Sequence, residues 1–383
     1  MQKINILGST GSIGKKTLKI LKNNFNKYSI NYLLAKNNYS LLAKQANYFN
    51  PKYIGILNDI YYSRIKKLIN NKKTKIIAGP ECYEILNESV NFSILAISGI
   101  SALKSINLIL KNSKKIGIVN KESIVSAGKF ILKIAKKNNT EIIPLDSEHY
   151  SIYNFLNNFN KKNINNIKKI FLTASGGPFL NLNKNDFKNV TLKDALKHPT
   201  WKMGVKNTID SSTMINKCLE IIDAHYLFNF DYSKLDIIVH PESLVHSIFK
   251  INDGTLISNI FNNDMSIPIY ASLNGNSKLN NPYSNIDITN INSLRFIKPN
   301  KNRFESLKIF DQINKNSISE IIVFNTANEF AVNLFIKNKI KFVEITKFIK
   351  KSLNKFEKFN IYNINDVIQY QSFVYNKLLD NIK

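Results

Sequence analysis

Short apolar segments alternate with stretches of helical spacing over the first 145 residues. The predicted strands of this region are residues 4–7, 30–35, 53–57, 75–78, 93–97, 116–120 and 141–144. Strands that alternate with helices form a parallel sheet with helices on both faces. We therefore predict an α/β domain over residues 1–145.

The pattern changes after residue 145. Residues 146–275 combine helices with predicted strands at 170–173, 237–240, 245–251 and 255–261, which indicates a second, α+β domain. Residues 276–303 are rich in Asn, Ser and Pro and are predicted to be a linker. In residues 304–383 apolar positions recur at helical spacing, and we predict a small helical C-terminal domain whose buried face includes Ile321, Phe324, Ala327, Ala331 and Leu334.

Composition indicates a globular protein, because 44% of the 383 residues are hydrophobic and 21% are charged. No apolar run approaches the roughly 20 residues that cross a bilayer. The N-terminus enters a glycine motif without the apolar segment of a signal peptide, so we expect a cytoplasmic protein without membrane contact. The cysteines, Cys82 and Cys218, and the histidines show no metal-type spacing, and we expect neither a zinc site nor a disulfide framework.

The net charge of +27 has two interpretations. A nucleic-acid-binding protein carries such an excess. A lysine-rich composition combined with small anionic ligands is the other explanation, since a positive field attracts phosphates. The lysines are spread along the whole chain, with no confined basic arm, which favours the second interpretation.

Gly8, Gly11 and Gly14 follow the first predicted strand and open a helix. This context is typical of a dinucleotide-binding turn, although the spacing is GxxGxxG rather than GxGxxG, and a glycine turn without a ligand is the alternative. NAD-specific folds place an acidic residue after the second strand. Lys36 occupies that place and could pair with a 2′-phosphate, which favours NADPH, unless it is only a surface lysine.

Two acidic segments suggest a metal site. Asp146 and Glu148 follow a strand, and in an extended segment residues two apart face the same side. Carboxylate oxygens suit Mg²⁺ or Mn²⁺, although a solvated surface pair is the alternative. Further along, the Ser/Thr residues before Met214 predict a helix start. Lys217 and Glu220 then lie within one turn, where a simple intrahelical ion pair is the alternative.

Two loops could bind an anionic substrate. Residues 173–179 (TASGGPF) follow a strand and carry hydroxyl and glycine residues that can donate hydrogen bonds to a phosphate. Residues 198–204 (HPTWKMG) contain the only tryptophan, Trp201. A lone tryptophan commonly lies in a core, but the flanking Pro and Gly make this loop a candidate lid.

Seven segments, read in order, carry a resemblance to a known family: GSTGSIG (8–14), NKESIVSAG (120–128), PLDSEH (144–149), LTASGGPF (172–179), HPTWKMG (198–204), residues 210–220 and HPES (240–243). Together they resemble the signatures of 1-deoxy-D-xylulose 5-phosphate reductoisomerases, in order and spacing, over nearly the whole chain. The resemblance implies a Rossmann-like NADPH domain, a catalytic α+β domain and a C-terminal helical domain. It also implies a homodimer that converts 1-deoxy-D-xylulose 5-phosphate to 2-C-methyl-D-erythritol 4-phosphate, in isoprenoid precursor biosynthesis, with Mg²⁺, Mn²⁺ or Co²⁺.

The resemblance also implies residue roles. The NADPH contacts would be Thr10, Gly11, Ser12, Ile13, Ala35, Lys36, Asn37, Asn120, Glu122 and Gly204. The metal ligands would be Asp146, Glu148 and Glu220. The substrate contacts would be Lys121, Ser147, Glu148, Ser175, His198, Ser211, Asn216, Lys217 and Glu220, of which Lys121, Glu148, His198 and Lys217 are the predicted catalytic residues. Trp201 and Met203 would belong to a flap that closes over the substrate.

Tyr150, Ser212 and Cys218 depart from the family pattern, which commonly has smaller residues at positions 150 and 218 and alanine at position 212. None of the three is a predicted ligand, so the departures concern packing near the site rather than its chemistry. Two other functions stay open at this point. One is another NADPH-dependent reductase of a phosphorylated metabolite, which would need no strict metal and would perform no isomerisation. The other is a basic nucleic-acid-binding protein, whose binding would fall steeply with salt.

Overall fold

A computed structural model describes residues 1–24, 26–158, 161–201, 203–275, 281–283 and 285–380. The chain forms two units, the first of Met1–Ser123, Ile131–Tyr150 and Asp264–Ser284, and the second of Ile124–Phe130, Ser151–Asn263 and Asn285–Lys383. The four-part division expected from the sequence stays a prediction. Residues 276–280 and 284 of its linker lie outside the described residues.

The first unit is built on a seven-stranded sheet in the order β4-β3-β2-β1-β5-β6-β7, and every neighbouring pair is parallel. Its strands are β1 (Gln2–Leu7), β2 (Tyr28–Ala35), β3 (Tyr53–Ile56), β4 (Lys75–Ala78), β5 (Val90–Leu95), β6 (Ser113–Ile118) and β7 (Glu141–Pro144). The predicted parallel α/β sheet is therefore confirmed.

Strands β5 and β6 begin and end earlier than the apolar pattern predicts, at 90–95 and 113–118 rather than 93–97 and 116–120. Strand β6 begins with the polar residues Ser113, Lys114 and Lys115, and β5 includes the polar Asn91, which interrupts its apolar pattern. The hydroxyls of Ser93 and Ser113 satisfy each other in the buried sheet at 2.8 Å, which lets polar residues extend the pairing.

The helices are α1 (Ser12–Lys22), α2 (Tyr39–Phe49), α3 (Tyr62–Leu68), α4 (Leu103–Asn112), α5 (Lys121–Lys137), α6 (Ser147–Asn158), α7 (Leu192–Ala195), α8 (Val205–Ser212), α9 (Ile215–Phe228), α10 (Ser266–Asn274), α11 (Glu305–Gln312), α12 (Ile318–Ile336), α13 (Phe342–Lys355) and α14 (Ile364–Asp380). Among the described residues, none of these helices is both long and apolar enough to span a bilayer.

The second unit contains a four-stranded mixed sheet in the order β11-β10-β8-β9. Its strands are β8 (Ile167–Ala174), β9 (Leu235–Val239), β10 (Val245–Ile251) and β11 (Leu256–Ile260). Strand β10 is antiparallel to β8 and β11, and β8 is parallel to β9. The ring of Phe155 in α6 stacks on Phe249 of β10 with centroids 3.7 Å apart, so an aromatic contact joins α6 to this sheet.

The C-terminal region is helical, as predicted, and is organised around α12, which packs against α13 and α14. Helix α12 is buried along most of its length, including the five positions that gave the helical pattern. Two of its buried amides donate hydrogen bonds to other helices. The side-chain amide of Asn325 donates to the hydroxyl of Ser126 in α5 at 3.0 Å, and the amide of Asn328 donates to the carboxylate of Asp210 in α8 at 2.9 Å.

Both cysteines should resist thiol reagents in the folded protein. Cys82 and Cys218 are each 0% exposed, and burial raises the pKa of Cys82 to about 11 and holds the pKa of Cys218 well above its usual range. The thiolate is the reactive form, so both pKa shifts reduce reactivity beyond the effect of access. We expect negligible reaction with dithionitrobenzoate at mildly alkaline pH and complete labelling of both thiols in guanidinium chloride. Fast labelling of the native protein would contradict the packing around these residues.

Candidate active site

The glycine turn after β1 leaves no room for a side chain at Gly8 or Gly14. Gly8 has φ of +90°, and a Cβ there would lie 2.4 Å from the carbonyl oxygen of Ala96. A Cβ on Gly14 would lie 2.5 Å from the Cα of Ser9. Helix α1 begins directly after Gly11, which caps it without any side-chain hydrogen bond. The helix terminus can therefore present its N–H groups and positive dipole to a pyrophosphate, and Thr10, Gly11, Ser12 and Ile13 all lie on this turn.

The sheet order places this turn at a topological switch point. Strand β1 lies between β2 and β5, so the chain continues to opposite sides of β1. In open parallel sheets a ligand binds outside the carboxyl ends of the strands at such a point. The predicted cofactor residues Ala35, Lys36 and Asn37 end the neighbouring strand β2 and continue into the loop after it, where Lys36 and Asn37 are exposed.

The loop after β2 is held by the loop after β3. The backbone N–H of Asn58 donates to the carbonyl of Lys36 at 3.0 Å, and its side-chain amide donates to the side-chain oxygen of Asn37 at 3.2 Å. These bonds fix the backbone that carries Lys36 while leaving its charged end in solvent. The position suits a contact with a 2′-phosphate.

Asn120 connects two loops at the same edge of the sheet. Its side-chain nitrogen donates to the carbonyls of Ile97 at 2.6 Å and Gly99 at 2.7 Å, and its side-chain oxygen accepts the backbone N–H of Ser123 at 2.7 Å. The last bond caps helix α5. Lys121 and Glu122, two further predicted site residues, are thereby held buried in the first turn of that helix.

The predicted geometry of Asp146 and Glu148 is wrong, because these residues do not lie on an extended segment. Strand β7 ends at Pro144 and helix α6 begins at Ser147. The carboxylate of Asp146 accepts the backbone N–H of Glu148 at 3.2 Å and of His149 at 3.4 Å. Asp before the first turn and Glu within it both favour a helix start over a continued strand, which is the physical reason for the correction.

Asp146 is surrounded by cations and donors. Its carboxylate lies 3.2 Å from the ammonium of Lys121 and 2.8 Å from Nδ1 of His149. The hydroxyl of Ser147 donates to the carboxylate of Glu148 at 2.7 Å. The loops after β6 and β7, which are neighbouring strands, thus bring four of the predicted site residues to one edge of the sheet.

A helix begins next to Met214, as predicted, since α9 starts at Ile215, but the Ser/Thr residues before it do not cap it. Ser211 and Ser212 form the last turn of α8, and Met214 has φ of +64°, a left-handed conformation that separates α8 from α9. The predicted placement of Asn216, Lys217 and Glu220 near the beginning of one helix is correct. Lys217 forms an ion pair with the carboxylate of Glu220, to which the amide of Asn216 also donates.

The three predicted metal ligands are distributed over the two units. Asp146 precedes α6 and Glu148 lies in its first turn, in the first unit, while Glu220 lies in α9 of the second unit. Oxygen donors of this kind fit Mg²⁺ or Mn²⁺. The donor set therefore matches the predicted metal.

His198 lies between two serines of the second unit. Its Nε2 is 3.1 Å from the hydroxyls of both Ser175 and Ser211. Its Nδ1 accepts the backbone N–H groups of Thr200 at 3.2 Å and Trp201 at 2.9 Å. Because Nδ1 is an acceptor, the neutral ring carries its proton on Nε2. The structure thus brings together three predicted substrate contacts, Ser175, His198 and Ser211.

The predicted flap begins next to a well-capped helical turn. Thr191 and Asp194 form a reciprocal capping box at the start of α7, and hydrogen bonds, first of all from the Thr191 hydroxyl, lower the pKa of Asp194 to about 2. Helix α7 ends at Ala195, three residues before His198. One end of residues 198–204 is therefore fixed by local hydrogen bonds.

Trp201 itself is half-buried and lies edge-on to His246, with ring centroids 6.2 Å apart, while His246 stacks on Phe261 at 4.0 Å. Lys202 lies outside the described residues. Gly204, a predicted cofactor contact, is the N-cap of α8 in the second unit, and a Cβ added there would meet no described atom within 4 Å. The flap assignment of Trp201 and Met203 stays a prediction.

The sequence interpretation missed three residues that build these sites. His149 is bonded to Asp146 at 2.8 Å and could have been found by its helical spacing from that residue. His246 lies against Trp201, and no sequence signal connects the two. Asp210 is 1% exposed and pairs with Lys206 at 2.7 Å, a spacing of four that is visible in the sequence once α8 is recognised. The residues that depart from the family pattern, Tyr150, Ser212 and Cys218, are all buried.

Comparison with known proteins adds to this geometry. Three family profiles match the chain: 1-deoxy-D-xylulose 5-phosphate reductoisomerase over residues 4–128, the 1-deoxy-D-xylulose 5-phosphate reductoisomerase C-terminal domain over 142–228, and the DXP reductoisomerase C-terminal domain over 261–376. The chain belongs to the 1-deoxy-D-xylulose 5-phosphate reductoisomerase family. The family resemblance seen in the sequence motifs is thereby confirmed.

Relatives of the 1-deoxy-D-xylulose 5-phosphate reductoisomerase family match over nearly the full length. The enzyme of Wolbachia pipientis from Culex pipiens is 40% identical over 96% of this chain and 94% of its own length. The enzyme of Pelagibacter ubique is 40% identical over 99% of both chains. A reductoisomerase structure from Zymomonas mobilis in complex with NADPH has a TM-score of 0.89 at 31% identity, covering 98% of this chain and 97% of its own. A reductoisomerase structure with NADPH, fosmidomycin and magnesium has a TM-score of 0.92 at 32% identity, covering 100% and 98%.

Replacing His198 by alanine should loosen the flap. The substitution removes the acceptor of the Thr200 and Trp201 N–H groups, so we expect the fluorescence of Trp201, the only tryptophan, to shift to longer wavelength. Circular dichroism should be unchanged. Lys197→Ala, at the exposed neighbouring position, is the control and should leave the emission as it is. An unchanged spectrum for His198→Ala would show that His198 does not hold this segment.

Proposed function

We propose that this chain catalyses the NADPH-dependent rearrangement and reduction of 1-deoxy-D-xylulose 5-phosphate to 2-C-methyl-D-erythritol 4-phosphate. The observation that carries the proposal is that carboxylates assigned to the metal by the family resemblance are each held by a buried lysine, Asp146 by Lys121 in the first unit and Glu220 by Lys217 in the second. Hydride transfer alone needs no divalent cation. A rearrangement of the carbon skeleton does need stabilisation of negative charge on substrate oxygens, and these carboxylates are suited to hold the cation for it.

The metal would be held by Asp146, Glu148 and Glu220. A divalent cation bound there supplies Lewis-acid stabilisation of the charge that develops on the ketone and hydroxyl oxygens of the substrate. Two lysines contact the same carboxylates, Lys121 at Asp146 and Lys217 at Glu220. Both lysines are buried, so their positive charges act in a low dielectric and orient the anionic substrate, together with Ser147 and Asn216.

The phosphate of the substrate fits the donors around His198. Nε2–H of His198 and the hydroxyls of Ser175 and Ser211 converge within hydrogen-bond distance of one another. Phosphate binding away from the reacting carbons holds both fragments of a broken chain, so their recombination is effectively intramolecular. Four of the proposed site residues are proposed to be catalytic, because each would contact the substrate: Lys121, Glu148, His198 and Lys217.

NADPH would bind at the glycine turn and along the loop after β2. The turn fits a pyrophosphate because it excludes every side chain at Gly8 and Gly14. Asn120, Glu122 and Gly204 are further proposed contacts. The cofactor supplies the hydride, and the protein supplies position and exclusion of water, for which Trp201 and Met203 are the proposed flap residues. A homodimer and a cytoplasmic location are proposals that rest on the family resemblance.

The direct test of this function is an assay of NADPH oxidation with 1-deoxy-D-xylulose 5-phosphate. We expect turnover with Mg²⁺ or Mn²⁺ and none after chelation with EDTA, with recovery when the metal is restored. The product should carry the branched carbon skeleton, which mass spectrometry and NMR can establish. Metal-independent reduction without a change of skeleton would instead support a simple reductase.

Glu220→Gln tests the metal assignment. The substitution keeps size and removes charge, so turnover should fall by on the order of a hundredfold, since Lewis-acid stabilisation contributes several kcal/mol. The loss should appear in kcat as well as in apparent metal affinity, because the charge concerned develops in the transition state. Binding of NADPH should persist.

The matched control is Glu305→Gln on α11, a half-buried glutamate outside the proposed site, which should retain normal turnover. Glu220 is 1% exposed and paired with Lys217, so its substitution could destabilise the fold. Glu148→Gln, at a more accessible position, provides a second variant with the same expected loss. Near-normal kcat for both variants at low Mg²⁺ would refute the assignment.

A further inference from the structure

Three residues of the first unit form a cluster that the proposed mechanism does not use: Tyr39, Tyr61 and Arg64. The rings of Tyr39 and Tyr61 are stacked with centroids 4.9 Å apart and planes inclined by 22°. The guanidinium carbon of Arg64 lies 5.9 Å from the centroid of Tyr39 and 5.8 Å from that of Tyr61. A single cation therefore lies against both rings of an aromatic pair.

The cluster follows directly after the loops that end β2 and β3. The 2′-phosphate on the adenosine half of NADPH is proposed to bind at the first of these loops. The backbone N–H of Tyr39 donates to the carbonyl of Asn37 at 2.8 Å, and that of Tyr61 donates to the carbonyl of Asn58 at 3.2 Å. The side chains of Asn37 and Asn58 are bonded to each other at 3.2 Å. The two tyrosines therefore follow directly after the loops that carry Lys36 and Asn58, and the guanidinium carbon of Arg64 lies 5.9 and 5.8 Å from their ring centroids.

This position is one where an arginine has a defined chemical use. In dinucleotide-binding folds an arginine near the end of the second strand accommodates the 2′-phosphate of NADP. A guanidinium that contacts aromatic rings through its face keeps its N–H edge for a phosphate, which it can bind through two parallel hydrogen bonds. Among the described residues, the tyrosine rings are the only partners found for Arg64, and no carboxylate pairs with it.

We propose that Arg64, supported by Tyr39 and Tyr61, is a specificity-determining residue that binds the 2′-phosphate of NADPH together with Lys36. A phosphate monoester carries close to two negative charges at neutral pH, so a second cation beside Lys36 completes the charge balance. The inference rests on the proposed use of NADPH. It adds a residue that no glycine motif or strand-end position reveals.

The test compares NADPH with NADH, which differ only in the 2′-phosphate, by isothermal titration calorimetry on the full chain without substrate. Arg64→Gln should weaken NADPH binding about tenfold, as expected for a charge-assisted hydrogen bond at an exposed position, and leave NADH binding within about twofold. Arg64→Lys should bind NADPH more tightly than Arg64→Gln and less tightly than the wild type. Lysine keeps the positive charge but lacks the two parallel N–H donors of a guanidinium. Lys66→Gln is the control, since Lys66 is an exposed cation of the same helix that faces a different ring, that of Tyr62, and it should change neither affinity.

Each outcome separates this inference from the proposed function. Equal losses of NADPH and NADH binding in Arg64→Gln would show a structural role and overturn the proposal. Wild-type selectivity that survives in Arg64→Gln would overturn the proposal while leaving NADPH as the cofactor. A wild-type protein that binds NADPH and NADH equally would overturn both the cofactor preference and the role of Arg64.

Discussion

The proposed substrate site depends on the ion pair and the hydrogen bond made by the buried carboxylate of Asp210. It is 1% exposed, and it is paired with Lys206 at 2.7 Å and accepts the amide of Asn328 in α12 at 2.9 Å. A buried charge is tolerated only when it is paired and hydrogen-bonded, so the end of α8 has little freedom relative to α12. Ser211, the next residue, is thereby held within hydrogen-bond distance of His198. The left-handed backbone of Met214 then separates α8 from α9, the helix that carries Glu220.

In the first unit, the side chain of Asn120 likewise holds neighbouring loops by hydrogen bonds. One amide group satisfies the carbonyls of Ile97 and Gly99, and its oxygen caps α5. Lys121 follows the cap and reaches Asp146, which itself accepts backbone N–H groups at the start of α6. In both units a polar side chain that satisfies backbone or buried groups determines where the next residue, a proposed substrate contact, is held. The site is therefore a product of capping and of buried polar bonds rather than of the sheet alone.

The signals visible in the sequence are those with short-range causes. Strand alternation, the glycine turn and the spacing of Lys217 and Glu220 depend on neighbours within a few residues, and the structure agrees with them. One local interpretation failed because a competing local rule prevailed: Asp146 precedes a helix instead of continuing a strand. The helix start at Met214 was predicted correctly, but its Ser/Thr residues end the preceding helix. The bond between Asp210 and Asn328, and the meeting of Tyr39, Tyr61 and Arg64, join residues from separate elements, so no local pattern could predict them.

The excess of positive charge attracts phosphates but cannot by itself select among them. A net charge of +27 acts at a distance that salt limits to about 10 Å, and it favours every anion alike. Selection requires donors fixed in direction. His198 is such a donor, because two backbone N–H groups occupy its Nδ1 and leave the proton on Nε2, between two hydroxyls. The guanidinium of Arg64 lies beside the stacked rings of Tyr39 and Tyr61, and no carboxylate pairs with it among the described residues. The lysine-rich surface would therefore bring both phosphate-bearing ligands to the protein, while a few oriented groups decide which phosphate binds where.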